Sequence, residues 1–184
     1  MLKRRGFSLI ELMIAVTIFA IAMMLALPSF TEWIQGQQIR VATEAILNGL
    51  QVARAEAIRR NLPVQIVFGP GTAWAVTEMT SGAAVQNRVA EEGSVNAVLT
   101  AMNDFGPPAV LATTVTFSPI GGVMANADAS LSVTRLDISN PTGGLCQQFG
   151  GPMRCLSVRV TGGGSLKMCD LIVAAPDARA CPIP

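Results

Sequence analysis

Two sets of residues in this chain carry chemistry on their own. Glu11 is a lone carboxylate in an apolar run that reaches Leu27 and follows Lys3, Arg4 and Arg5. A charge in such surroundings costs roughly 2.5 to 3.5 kcal/mol at a bilayer centre, so it calls for a partner of opposite sign. The second set is Cys146, Cys155, Cys169 and Cys181, all in the last quarter of the chain, with no CxxC spacing and no histidine anywhere. Two disulfides suit that pattern better than a zinc site or four reduced core thiols, and oxidised thiols imply an extracytoplasmic location. Three pairings are possible. The sequence-near ones, Cys146 with Cys155 and Cys169 with Cys181, are favoured because each closes a loop holding Gly, Pro or Asp. On the chain-entropy account each adds roughly 2 to 3 kcal/mol.

The absence of His and Tyr removes the commonest general base, the commonest neutral metal ligand and any phenolic acid. No nucleophile motif and no phosphate-binding GxxxxGK[ST] loop is present, so an enzyme is not expected, nor a cofactor or metal. Thirteen Lys and Arg against 12 Asp and Glu leave a formal charge of +1, which is not the charge of a chain built to coat nucleic acid.

The elements that must place these residues begin with Phe7 to Leu27. As a helix this run of about 21 residues spans roughly 30 Å, one hydrocarbon core, with the basic cluster on the cytoplasmic side. The 51% hydrophobic composition and mean hydropathy of +0.47 have their excess at this end. A secretory signal peptide has the same basic-then-apolar order, but Ala26-Leu27-Pro28 is a poor cleavage site. A twin-arginine signal matches Arg4, Arg5 and Phe7 but leaves Glu11 without a role. Cleavage directly before Phe7 instead creates an ammonium about one helical turn from Glu11.

The stretch "RGFSLIELMIAVTIFAIAMMLALP" closely resembles the class III leader and first helix of type IV pilins and type II secretion pseudopilins. That resemblance implies cleavage after Gly6 by a prepilin peptidase, N-methylation of Phe7, and pairing of Glu11 with the terminal amine of a neighbouring subunit in a filament. Such a pair acts as a register device more than as net attraction, since misdocking would leave two buried charges alone. Pro28 matches the proline pilins often carry and, lacking an N–H, is expected to kink the helix. The further partners implied are other pilins or pseudopilins, an inner-membrane assembly platform, and the lipid bilayer before assembly. The expected location is the inner membrane with the head in the periplasm, then a pilus or pseudopilus.

From Ser29 the pattern becomes amphipathic, with Ala42, Ile46, Leu50, Ala53 and Ala57 at helical spacing and Asn61 with Pro63 as a stop. Arg54, Arg59 and Arg60 are read as solvating charges. "LQVARAEAIRRNLPVQIVF" and "VTFSPIGGV" resemble the GspH/FimT branch of minor pilins and pseudopilins. The expected fold is α+β, the type IV pilin fold, with a long N-terminal helix packed on an antiparallel β-sheet domain. The divisions are 1–6 leader, 7–28 membrane and filament-core helix, 29–62 amphipathic continuation, and 63–184 β-rich head.

After Pro63 the reading is of short strands at Val64–Phe68, Ala73–Thr77, Val115–Phe117, Ser130–Ile138, Leu156–Thr161 and Ser165–Met168, with turns at Gly-Pro-Gly 69–71 and Gly-Gly-Gly 162–164. Ser81 to Pro108 reads as a long loop with a short helix over Val95–Met102. "GGGSLKMCDLIVAAPDARACP" resembles the tail of FimT-like minor pilins, some of which bind transforming DNA through a Gly-Arg-x-Arg stretch. Here Gly164, Ser165, Leu166 and Lys167 stand at those places, so one of the two cations is kept. Arg159 and Arg179 add local charge, and Asp170 and Asp177 oppose it. Two or three phosphate contacts give only weak binding at physiological salt.

Overall fold

A computed structural model describes residues 8–105 and 108–181. Its backbone is one long helix, α1 (Leu9–Arg60), followed by strands. Ile39, Ala42, Ile46, Leu50, Ala53 and Ala57, spaced three or four apart, are all buried. That spacing puts them on one stripe, and the alanines let the sheets approach the helix closely. The helix stops where Asn61 takes a left-handed conformation (φ 53°) and the Leu62 N–H donates back to the Ala57 carbonyl. Pro63 follows and cannot continue it.

The first half of α1 has no such stripe. Leu9, Phe19, Ile21 and Phe30 are all more than half exposed in the lone chain. Among the described residues no single helix is long and apolar enough to cross a membrane. Leu9–Met24 and Ser29–Arg60, which differ in direction by 42°, meet that requirement together by length and composition.

The strands are β1 (Val64–Phe68), β2 (Trp74–Glu78), β3 (Ala84–Arg88), β4 (Val98–Asn103), β5 (Val110–Leu111), β6 (Thr114–Phe117), β7 (Val123–Met124), β8 (Arg135–Ser139), β9 (Leu156–Val160) and β10 (Leu166–Asp170). They form two antiparallel sheets, ordered β3-β2-β1-β6-β7 and β10-β9-β8-β4-β5. The helix contacts β1, β2 and β6 of the first and β8, β9 and β10 of the second. Val64, Ile66, Val76, Phe117, Leu136, Ile138 and Val158 fill the space beneath it. The Trp74 indole lies under the helix at Gly49, where an added Cβ would stand 2.8 Å from the ring.

Two expectations need correction. The segment 81–108 is not a loop with a helix over Val95–Met102; it holds β3 and β4. On β4, Thr100 and Met102 line a cleft shared with the 144–149 turn while Leu99 and Ala101 pack on the core, so both faces are half-buried and the alternation that marks a strand is lost. Arg88 locks this region. Its side chain is 7% exposed and donates to the Thr72 carbonyl and hydroxyl, to the Ser94 hydroxyl and to the Glu92 carbonyl. The second correction concerns Ser130–Ile138, of which only Arg135 onward is strand. Ser132 instead bridges to Thr114 of the first sheet, so 130–134 is the crossing between sheets.

Both disulfides form between sequence-near cysteines, with Cα separations of 5.5 Å for Cys146–Cys155 and 4.8 Å for Cys169–Cys181. The second holds the C-terminal segment along β10, where the Asp170 N–H donates to the Arg179 carbonyl at 2.8 Å.

Candidate functional site

The helix start and the outward face of the second sheet carry the residues singled out above. Ser8 has the extended backbone of an N-cap, and its N–H donates to Glu11 Oε2 at 3.5 Å. In the lone chain, then, the Glu11 carboxylate serves the exposed amide end of its own helix, where a negative charge is favoured. Gly6 and Phe7 lie outside the described residues. Pro28 falls in the stretch joining the two differently directed halves of α1.

The three basic residues considered for DNA have different surroundings. Arg159 and Lys167 stand opposite one another on β9 and β10, and Arg135 of β8 is opposite Arg159, so alternation places all three on one face. The Arg159 guanidinium is taken up by Asp104, whose carboxylate also accepts from the Thr134 hydroxyl and lies 3.6 Å from Arg135. Burial pushes the Asp104 carboxyl up, but the Thr134 hydroxyl and the two guanidiniums together outweigh it and hold the group below the usual carboxylate range. The Lys167 ammonium donates to the Ala180 carbonyl at 3.1 Å. Arg179 lies in the C-terminal segment that runs along β10 and pairs with Asp177 at 2.8 Å. Hydrogen bonds from the Arg179 side chain and backbone hold the Asp177 carboxyl down at about 2.

Sequence reasoning missed Asp104 and misread Arg54. Arg54, read as a solvating charge, donates from Nε to the Gly121 carbonyl at 3.0 Å. Beside it the Val123 N–H donates to Gly162, which joins the two glycine turns. Gly164 must be glycine there: its φ is +76° and a Cβ would strike the Gly121 carbonyl. Neither contact has a local signature, because 67 and 55 residues separate Arg54 from Gly121 and Asp104 from Arg159.

A notch of about 470 Å³ opens where α1 leaves the head. Trp33, Gly36 and Arg40 form one wall, and Arg154, Met168 and Arg179 the other. Phe30 stacks on Trp33 with ring centroids 5.9 Å apart. Among the described residues no cluster of His, Cys, Asp and Glu could hold a metal ion.

A family model described as type II transport protein GspH matches residues 42–164, and one described as the prokaryotic N-terminal methylation motif matches residues 1–27. Among solved structures, the type IV minor pilin FimU of Pseudomonas aeruginosa is similar in two crystal forms. One is 16% identical with a TM-score of 0.49, covering 72% of this chain and 88% of that one. The other is 15% identical with a TM-score of 0.46, covering 70% and 90%. No curated protein matches the sequence.

Proposed function

The chain belongs to the GspH family of type IV pilin-like proteins and carries its N-terminal methylation motif, and from that premise we propose that it is a minor pilin of a type IV pilus that primes filament assembly at the tip. The family is structural, its members assembling with other pilins after processing by prepilin peptidase, and the motif implies an N-terminally anchored membrane protein.

One observation carries the reading. Along a single helix the apolar stripe from Ala42 to Ala57 is buried under the head, while the described apolar side chains from Leu9 to Phe30 are exposed. Exposed apolar surface on that scale needs lipid or protein around it. Lipid holds it before assembly, and neighbouring helices hold it in the filament.

In this reading residues 1–6 are the leader, removed after Gly6, and Phe7 is N-methylated. Residues 7–28 are the membrane and filament-core helix, and 29–62 carry it into the head formed by 63–184. Pro28 supplies flexibility between the halves because it has no N–H to donate. Glu11 exchanges its bond to the Ser8 N–H for the terminal ammonium of a neighbour. The subunit sits in the inner membrane with its head in the periplasm until the assembly platform extracts it.

Mass spectrometry of the native protein tests this. An N-terminal fragment beginning at N-methylated Phe7 is expected; a chain that begins at Met1, or beyond Leu27, overturns it. A second reading, a type II secretion pseudopilin, is favoured by the family description itself. Recovery of the subunit in sheared cell-surface filaments supports the pilus, and retention in the envelope supports the pseudopilus. A FimT-like DNA receptor would draw on Arg159, Lys167 and Arg179, each of which already serves an acceptor within the chain.

A further inference from the structure

We propose that the notch beside Trp33 binds the phosphate headgroup of an anionic phospholipid in the outer leaflet of the membrane that anchors the subunit. The inference rests on the reading of the first half of α1 as membrane-embedded.

Depth is the first argument. If the hydrocarbon core ends near Leu27 and Leu9–Met24 runs along the membrane normal, the 42° change of direction and a rise of 1.5 Å per residue put Trp33 about 7 Å and Arg40 about 14 Å above it. The headgroup layer on each side is roughly 5 to 8 Å thick, so the Phe30–Trp33 stack lies within it. Tryptophan favours that layer, where its ring is half in apolar and half in wet surroundings. Arg40 stands about 6 to 9 Å above that layer, a gap its long side chain can span towards a phosphate.

Charge is the second. Arg40, Arg154 and Arg179 line the notch, with side chains 66%, 53% and 63% exposed. Arg40 and Arg154 meet Glu44 and Asp170 through Nε, and neither makes a further hydrogen bond among the described residues. Asp170 also lines the notch and Asp177 takes up the Arg179 fork, so a second anion falls to the terminal N–H groups of Arg40 and Arg154, and guanidinium forks suit phosphate oxygens. Met168 and Leu156 give the notch an apolar side for the glycerol end of the lipid.

Gly36 is the third. It sits in mid-helix, where glycine costs about 1 kcal/mol relative to alanine. A Cβ there would meet nothing closer than Met153 Cε at 4.0 Å, so head packing does not require glycine. What glycine provides is the open floor of the notch.

The test uses the full chain in nanodiscs of phosphatidylcholine and phosphatidylglycerol at equal mole fraction, with bromine on the acyl chains of one lipid or the other. Trp74 is 4% exposed inside the head and gives a constant background, so quenching reports Trp33. Brominated phosphatidylglycerol should quench about two- to fivefold more than brominated phosphatidylcholine. Gly36→Leu, which fills the notch, and the pair Arg40→Gln with Arg154→Gln should each bring that ratio to one with the far-ultraviolet circular dichroism unchanged. Equal quenching by both lipids in the parent chain overturns the proposal, leaving the notch to a neighbouring protein. So does a ratio that neither variant changes. Quenching by neither lipid would remove the membrane reading itself.

Discussion

Arg159 and Asp104, 55 residues apart, form an ion pair on the outward face of the second sheet, with side chains only 13% and 9% exposed. Arg135 approaches the same carboxylate at 3.6 Å. A largely buried carboxylate that balances two guanidiniums contributes chiefly by preventing their being left alone. Asp104→Ala should therefore destabilise the head by about 2 to 4 kcal/mol, read as a lowered urea midpoint at unchanged slope. An unchanged midpoint would mean that water already solvates both arginines.

Of the three basic residues considered for nucleic acid, Arg159 is largely buried against Asp104, while Lys167 and Arg179 are exposed. A gel shift of the full chain in detergent, at low and moderate salt, is expected to show weak retention that Lys167→Ala with Arg179→Ala leaves the same. Binding lost in the double variant would instead support a DNA receptor.

Acid should loosen the end of α1. Hydrogen bonds from Arg59 and then Arg60 lower the Glu56 carboxyl from 4.5 to about 2. A carboxylate depressed in the folded chain stabilises fully above its unfolded value and loses that contribution as pH falls through its folded value. The thermal midpoint should thus drop between pH 4.5 and pH 2, and Glu56→Gln should show a smaller drop over the same window. Equal drops would assign the effect to other carboxylates such as Asp177.

At Gly49 the helix meets the Trp74 ring with no room for a methyl group. Gly49→Ala raises helix propensity by about 1 kcal/mol yet should destabilise by a net 1 to 3 kcal/mol, roughly, through overpacking. In a Trp74→Phe background, where the ring is smaller, the same change should cost less. Additive effects in that double-mutant cycle would contradict the contact.

For the filament reading, Glu11→Val should insert into the membrane normally but reach sheared filaments poorly, as judged by immunoblotting both fractions. Normal incorporation would remove the pairing role. Gly6→Val should retain the mass of the precursor.

Local patterns in the sequence specify several parts of this molecule. The stripe from Ala42 to Ala57, the Asn61 stop, the hairpins turning at 69–71 and 162–164, and the near-neighbour cysteines all depend on residues within a few turns or one loop of each other. Periodicity and turn chemistry act at that range, so composition and spacing report them. The strands β3 and β4 escaped because their register and two-sided burial come from partners elsewhere in the chain. The same holds for Arg54 on Gly121, Asp104 between two arginines, and the notch where Trp33 and Arg40 face Arg154 and Arg179. Sheet pairing and the docking of α1 across both sheets brought these groups together, and no rule of local spacing contains that information.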